Sequence, residues 1–372
     1  MASAYADLTR DELATLVPEL LLIGHLIDRS GMAWTLGALG REGMAAVAVD
    51  EWRAASPIYT QRMQRALGFE PGDGHGDVVT IFKGLQVDIG APPQFMDFRF
   101  TVHDRRHGEF HLDHCGALMD VEPMGEEYVV SMCHHIEDPT FDATAVATNP
   151  HARIRPVHRP PRRPADRHPH CAWTVTIDES RPPLEDSAGC REVRRTVAAG
   201  VPLDPVDPAD DGAADYSGPL LSDLDLAAFS RSALVRIADE VCLQMHLLDL
   251  GFRYGLRQRL PEDEVQRIAR KQLIGIAGLA ADRLRRALDL PRTEAGNERL
   301  LALHPVRNPR AYVEAGGATD GGWLSLADDP EVVRAITNLD PAAEPDEVRV
   351  TRVSTGAGFA FVPRRSIPIT PV

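Results

Sequence analysis

Apolar residues recur at helical spacing over two long runs near the start of the chain. Leu13, Leu16, Leu20, Ile23 and Ile27 share one face, and a second run from about Arg41 to Leu67 carries Trp52, Ile58, Met63 and Leu67. The pattern predicts helix from about Asp11 to Leu67, with Pro18 near its start or at a kink, ended by the turn-rich GFEPGDGHGD. Val78–Val87 reads as a strand or a short helix. Period-two alternation over 98–102 and 109–115, split by DRRHG, describes a β-hairpin. A helix from Glu126 to about Glu137 follows, with Val129, Met132, Cys133 and Ile136 on one face, then strands at ARIRPV and CAWTVTID. Residues 179–225 lose periodicity and turn rich in Pro, Asp, Gly and Ala, the composition of a linker or an extended surface wrap.

The second half repeats the pattern of the first. At an unbroken offset of 221, Glu19, Leu22, His25, Leu26 and Asp28 fall on Glu240, Leu243, His246, Leu247 and Asp249. Arg62, Arg65, Ala66 and Leu67 fall on Arg283, Arg286, Ala287 and Leu288 in the same register. Further on, RAYVEAGGATDGGWLSLADD reads as a hairpin, PEVVRAITNL as a short helix and EVRVTRVSTGAGFAFVP as a strand pair. The expected fold is therefore α+β: two tandem related halves forming a pseudo-dimer, each of helices followed by a small antiparallel ββαββ sheet unit. The halves span 1–178 and 226–372, joined by the linker 179–225. The rear half lacks counterparts of the front half's cysteines, so it is expected to be a degenerate copy.

Composition narrows the functional classes. A formal charge of −15 over 372 residues disfavours nucleic acid and anionic membranes. The apolar run Leu20–Ile23 is too short to span a bilayer, and the acidic N-terminus shows no secretory signal, so a cytoplasmic protein is expected. Five cysteines, odd in number and irregularly spaced, favour thiols or metal ligands over disulfides. The expected partner is a small molecule, with self-association left open.

The chemistry concentrates in residues 98–178, which hold Cys115, Cys133, Cys171 and ten of the 14 histidines. Strand alternation places His111, Asp113 and Cys115 on one face and Phe110, Leu112 and His114 on the other. Cys171 shares the core face of its strand with Trp173, Val175 and Ile177. Two strands and a helix of one small sheet unit can thus bring three sulfurs together, and three thiolates with an imidazole suit tetrahedral zinc. His111 or His134 is the natural fourth ligand. The competing reading is that the cysteines pack as small buried hydrophobes, without any metal. His134, His135, Glu137 and Asp138 close the predicted helix, where an imidazole or carboxylate can act as general base; His134, His135 and Asp138 are the catalytic candidates. Arg153 and Arg155 open an arginine-rich belt able to hold an anionic substrate, unless that belt pairs with the acidic linker. His25 with Asp28, duplicated as His246 with Asp249, reads as a structural pair at the seam between the halves.

A cysteine ending a strand, a second cysteine on a helix and a strand entered through PHCAWTV resemble the L-2-amino-thiazoline-4-carboxylic acid hydrolases and related 4-vinyl-reductase-type small-molecule-binding domains. The resemblance covers residues 95–178. It implies a small-molecule pocket between helices and sheet, with Cys115, Cys133 and Cys171 in the family-like positions. The chain departs from that pattern in the Arg/Pro insertion before Cys171, the double histidine after Cys133 and the fused second half. The expected activity is a hydrolase acting on a C–N bond of a small heterocyclic or anionic substrate, assisted by a metal or a reactive thiol. The alternatives are a non-enzymatic binding protein with a structural zinc, and an iron-dependent oxidoreductase.

Overall fold

The computed structural model describes residues 2–72, 75–354 and 364–372. It opens on α1 (Arg10–Ala66), started by a capping box in which Thr9 and Glu12 bond each other's backbone N–H. Gly40, at φ 68° and ψ −177°, breaks α1 into two arms, 10–39 and 41–66. Only glycine adopts that conformation at low cost. The arms fold back antiparallel, so that Trp52 Nε1 donates to Asp28 Oδ1 at 3.4 Å. Leu13, Leu16, Leu20, Ile23 and Ile27 are all buried, as their spacing predicts.

After α2 (Val78–Leu85, a helix capped by Asp77) comes a four-stranded antiparallel sheet of order β1-β2-β4-β3. Its strands are β1 (Met96–Val102), β2 (His107–Cys115), β3 (Ala152–His158) and β4 (Cys171–Ile177). Between β2 and β3 run α3 (Gly116–Val121), then α4 (Glu126–Val130), a π turn (Ser131–Ile136) and α5 (Glu137–Val146) in unbroken succession. The helix expected to stop near Glu137 therefore continues through Pro139 to Val146. Proline has no N–H to give a preceding carbonyl, and the widened π turn just before it loosens that part of the ladder. The inner sheet face packs on α5 and α2: Phe141 lies 4.9 Å from Trp173 and Phe82 lies 4.8 Å from Phe100, ring centre to ring centre.

The Pro- and Asp-rich segment carries α6 (Ala188–Val193) and α7 (Val197–Gly200) and wraps the molecule. Lys83 Nζ donates to the Tyr216 carbonyl at 2.9 Å, and Ile369 N–H to Leu220 at 2.8 Å. A second helix pair follows, α8 (Arg231–Arg257) and α9 (Glu262–Ala287), and one continuous core joins it to the arms of α1. The two pairs begin and end at positions 221 apart, Arg10 with Arg231 and Ala66 with Ala287, although α8 stops three residues short of the first arm's end. Thr9 and Ser230 are both side-chain caps, and Leu67 (φ −107°, ψ 13°) and Leu288 (φ −113°, ψ 10°) end the second helix of each pair alike.

The expected second sheet is absent among the described residues. In its place stand α10 (Glu294–Leu303), α11 (Arg310–Glu314), α12 (Pro330–Thr337), α13 (Asp346–Ser354) and short 3-10 turns. Gly316 (φ 82°) and Gly321 (φ 73°) bound a 3-10 turn instead of turning a hairpin. Val348 and Thr351, three apart, are both buried, so EVRVTRV follows a helical period; residues 355–363 of that expected strand pair lie outside the described ones. No helix among the described residues is long and apolar enough to cross a membrane.

Candidate functional site

A cavity opens between the first arm of α1, the sheet and the π turn. His25, Asp28 and Arg29 enter it from the first arm, and Trp52 and Tyr59 from the second. Asp88 comes from the loop after α2, held by the Tyr59 hydroxyl at 2.9 Å and the Gly90 N–H at 2.6 Å. Met96, Phe98 and Leu112 form the sheet wall; Met132, Ile136, Glu137 and Phe141 form the opposite one. The space open to the centres of water-sized spheres is about 80 Å³. At roughly 10–15 Å³ per water on that measure, it holds about half a dozen non-hydrogen atoms.

The charges in this apolar chamber are unusual. Arg29 is only 7% exposed, yet its nearest carboxylate oxygens lie at 3.7 Å (Asp120) and 4.0 Å (Asp28), and its Nε has no hydrogen-bond partner. A buried guanidinium without short contacts is costly and is normally found paired. Around it the carboxyls are pushed towards neutrality. Burial raises Glu137 to about 7, against the pull of Arg29 and Arg159, and raises Asp88 and Asp120 each to about 6. Glu51, fully buried beneath, has no hydrogen-bond partner on either carboxyl oxygen, and burial with the nearby charges of Asp28 and Asp249 raises its pKa well above the ordinary carboxyl value. His25 donates Nδ1–H to the Ile89 carbonyl at 3.2 Å and leaves Nε2 unpartnered. Burial, with the Arg29 charge adding to it, lowers its pKa to about 3 and keeps the ring neutral. The chamber thus combines one cation, a carboxyl poised near neutral pH and a neutral imidazole.

The residues singled out from sequence lie elsewhere. Cys115, Cys133 and Cys171 do gather, from the end of β2, the π turn and the start of β4. The charge of Glu137 acts on all three, and burial raises each of them well above the ordinary thiol value, Cys115 to about 12, which leaves them protonated. His111 does not join them. Phe98 pairs with Leu112 but Met96 with Cys115, so β2 has one extra residue there. This bulge reverses the alternation and turns Cys115 inward with Phe110 and Leu112. His111 stays on the outer face, 3.4 Å from Asp113. Among the described residues no three His, Cys, Asp or Glu side chains are grouped to hold a metal ion. His111 is therefore not placed to complete a ligand set with the three cysteines.

His134 donates to the Pro160 carbonyl at 2.7 Å, His135 faces solvent, and Asp138 pairs with Arg159 at 2.5 Å. None of the three lines the cavity. Arg153 is buried against the carbonyls of Pro150, Ala152 and Pro182, and Arg155 pairs with Asp142 at 2.9 Å. The arginine belt closes on Glu122, Glu126, Asp138 and Asp142 of the adjoining helices, not on the acidic linker. The residues that sequence reasoning passed over are Arg29, Asp88 and Tyr59, together with Glu137, named in the helix-end group but set behind its neighbours. Glu137 was legible: it lies four residues after the buried Cys133 on the same helical face, half-buried itself. His25 and Asp28, read as structural, line the chamber. Their counterparts do not: Tyr312 lies 4.8 Å from the His246 ring, and Asp249 accepts from Arg253 and from the Trp323 N–H at 2.8 Å.

The chain matches no protein-family description, no curated protein and no solved structure.

Proposed function

We propose that the cavity binds a small carboxylate-bearing molecule and hydrolyses a C–N bond in it. The observation that carries this reading is Arg29, buried in the chamber with no carboxylate oxygen nearer than 3.7 Å, across from Glu137, whose pKa burial raises to about 7. A substrate carboxylate would supply the short charge-assisted contacts that Arg29 lacks. Glu137, when ionised, takes a proton from water as the water oxygen attacks the carbon of the C–N bond. The protonated Glu137 then returns that proton to the departing nitrogen. The apolar walls exclude bulk water and strengthen both contacts. Three protonated thiols make a thiolate nucleophile the weaker alternative. Five free cysteines support a cytoplasmic setting. This reading agrees with what the hydrolase resemblance of residues 95–178 implies.

Incubation with small carboxylate-bearing amides and cyclic imines, followed by mass spectrometry, should show water added across a C–N bond. Turnover should be lost in Glu137→Gln. Ligand retained unaltered by the wild-type protein would instead favour a non-catalytic binding protein.

The same chain reads best as a fused pseudo-dimer of helix pairs, with chemistry kept in the front half. Two reciprocal ion pairs support this: Arg62 with Glu240 at 2.9 Å and Arg283 with Glu19 at 2.6 Å. Each joins positions that the offset of 221 exchanges, as a two-fold interface requires.

A further inference from the structure

A second cavity of about 390 Å³, on the same measure, lies beyond β1, between it and the wrap at 222–227. Leu85, Met96 and Phe98 line both cavities, so the two stand back to back across three side chains. The outer one is lined largely by apolar groups, Leu21, Pro93, Phe100 and Leu224 among them. Its acids are already engaged. Asp97 is paired with Arg99 and Arg364, Asp223 with Arg99 at 3.0 Å, and Asp225 accepts from the Ala227 N–H at 3.0 Å. No cationic side chain lines it, whereas Arg29 lines the inner chamber. The inner chamber is also too small for more than a head group.

We propose that the two cavities are compartments of one site for an amphipathic carboxylate, its charged head on Arg29 and its apolar tail running past Met96 and Phe98 into the outer compartment. This rests on the anion seat proposed above. Met96 is unbranched and adaptable, and the bulge in the β1–β2 pairing beside it loosens the strand there, so the partition can yield to a chain one methylene wide. The orientation is fixed by charge: Arg29 is the one Lys or Arg side chain that lines either compartment, so the carboxylate belongs in the inner one. For a hydrolysable substrate, the C–N bond would join head to tail beside Glu137.

Calorimetric titration with straight-chain carboxylates from propanoate to decanoate tests this. Propanoate should bind weakly, and each methylene from hexanoate to decanoate should tighten binding about three- to fourfold. Leu224→Trp, on the half-buried outer wall, should erase that increment and leave the propanoate affinity within about twofold. Affinity that stops rising at four carbons, or a Leu224→Trp effect equal for short and long acids, overturns the inference while the inner seat stands. If no acid binds, the anion seat falls and this inference falls with it.

Discussion

Arg29 and Glu137 face each other across the chamber, and each is held in a state that water would not choose. The guanidinium lacks short partners, so replacing it with an apolar side chain should cost little stability. Arg29→Leu should lower propanoate affinity about 10- to 100-fold, the range for a charge-assisted contact. It should leave unfolding free energy at pH 6 within about 1 kcal/mol of wild type, because Asp28 and Asp120 can take up protons. A large loss of stability with unchanged binding would make Arg29 a structural ion. Glu137 carries a pH signature. Its folded pKa, about 7, lies above the ordinary carboxyl value, so the folded state holds the proton more tightly. That contribution is fully present below the unfolded value and fades as pH rises through 7. Glu137→Gln keeps the neutral form at every pH. It should exceed wild type in stability by on the order of 3 kcal/mol at pH 8, with the gap falling below about 1 kcal/mol at pH 5 and closing below the unfolded carboxyl value, as urea denaturation would read. A gap that grows on acidification would contradict the burial argument. Sequence exposed a cluster beside this site rather than the site itself: the gathering of three sulfurs could be read from strand and helix periodicity. The inward turn of Cys115 could not, because one extra residue in β2 has no local signature.

At the scale of elements, the helices were the legible part, because a long apolar stripe leaves little choice of period. The boundaries near Leu67 and Arg41 follow from the breaker sequence and from Gly40. The rear half was misread because β-branched residues in EVRVTRV and the Gly-Gly steps fit strands and turns as well as they fit short helices. Tertiary contact decided it. α13 lies so close on α9 that a Cβ at Gly278 would meet Val348 Cγ2 at 2.5 Å. Gly40 gives the clearest test of an element boundary. No atom lies within 4 Å of a Cβ built there, so Gly40→Ala meets no clash and reports backbone conformation alone. It should destabilise by about 1–3 kcal/mol, with ligand affinity unchanged, since the chamber lies well along both arms. A neutral substitution would mean that the arms can rejoin as one straight helix.

Across the whole molecule the two helix pairs are alike in register and unlike in cover, and the reciprocal ion pairs measure the difference. Arg62 and Glu240 have side chains 7% and 2% exposed; Arg283 and Glu19 are at 22% and 24%. The asymmetry comes from the wrap, since Arg62 also donates to the carbonyls of Ala199 and Val201, which seal that pair from water. Nothing in α6, α7 or the segment after them covers the other pair in this way. Glu240 further accepts from Arg236 at 2.9 Å, so its removal strands two guanidinium groups, one of them buried. Glu240→Ala should therefore cost about 3–5 kcal/mol, the penalty for an orphaned buried charge. Glu19→Ala, at the exchanged position, should cost less than about 1 kcal/mol, as solvated pairs do. Urea denaturation of both variants at pH 7 separates them. Equal losses would show that the seam, not the wrap, sets the strength of these pairs. Unequal losses would show how a segment laid over one side of the core sets two matched ion pairs apart in energy.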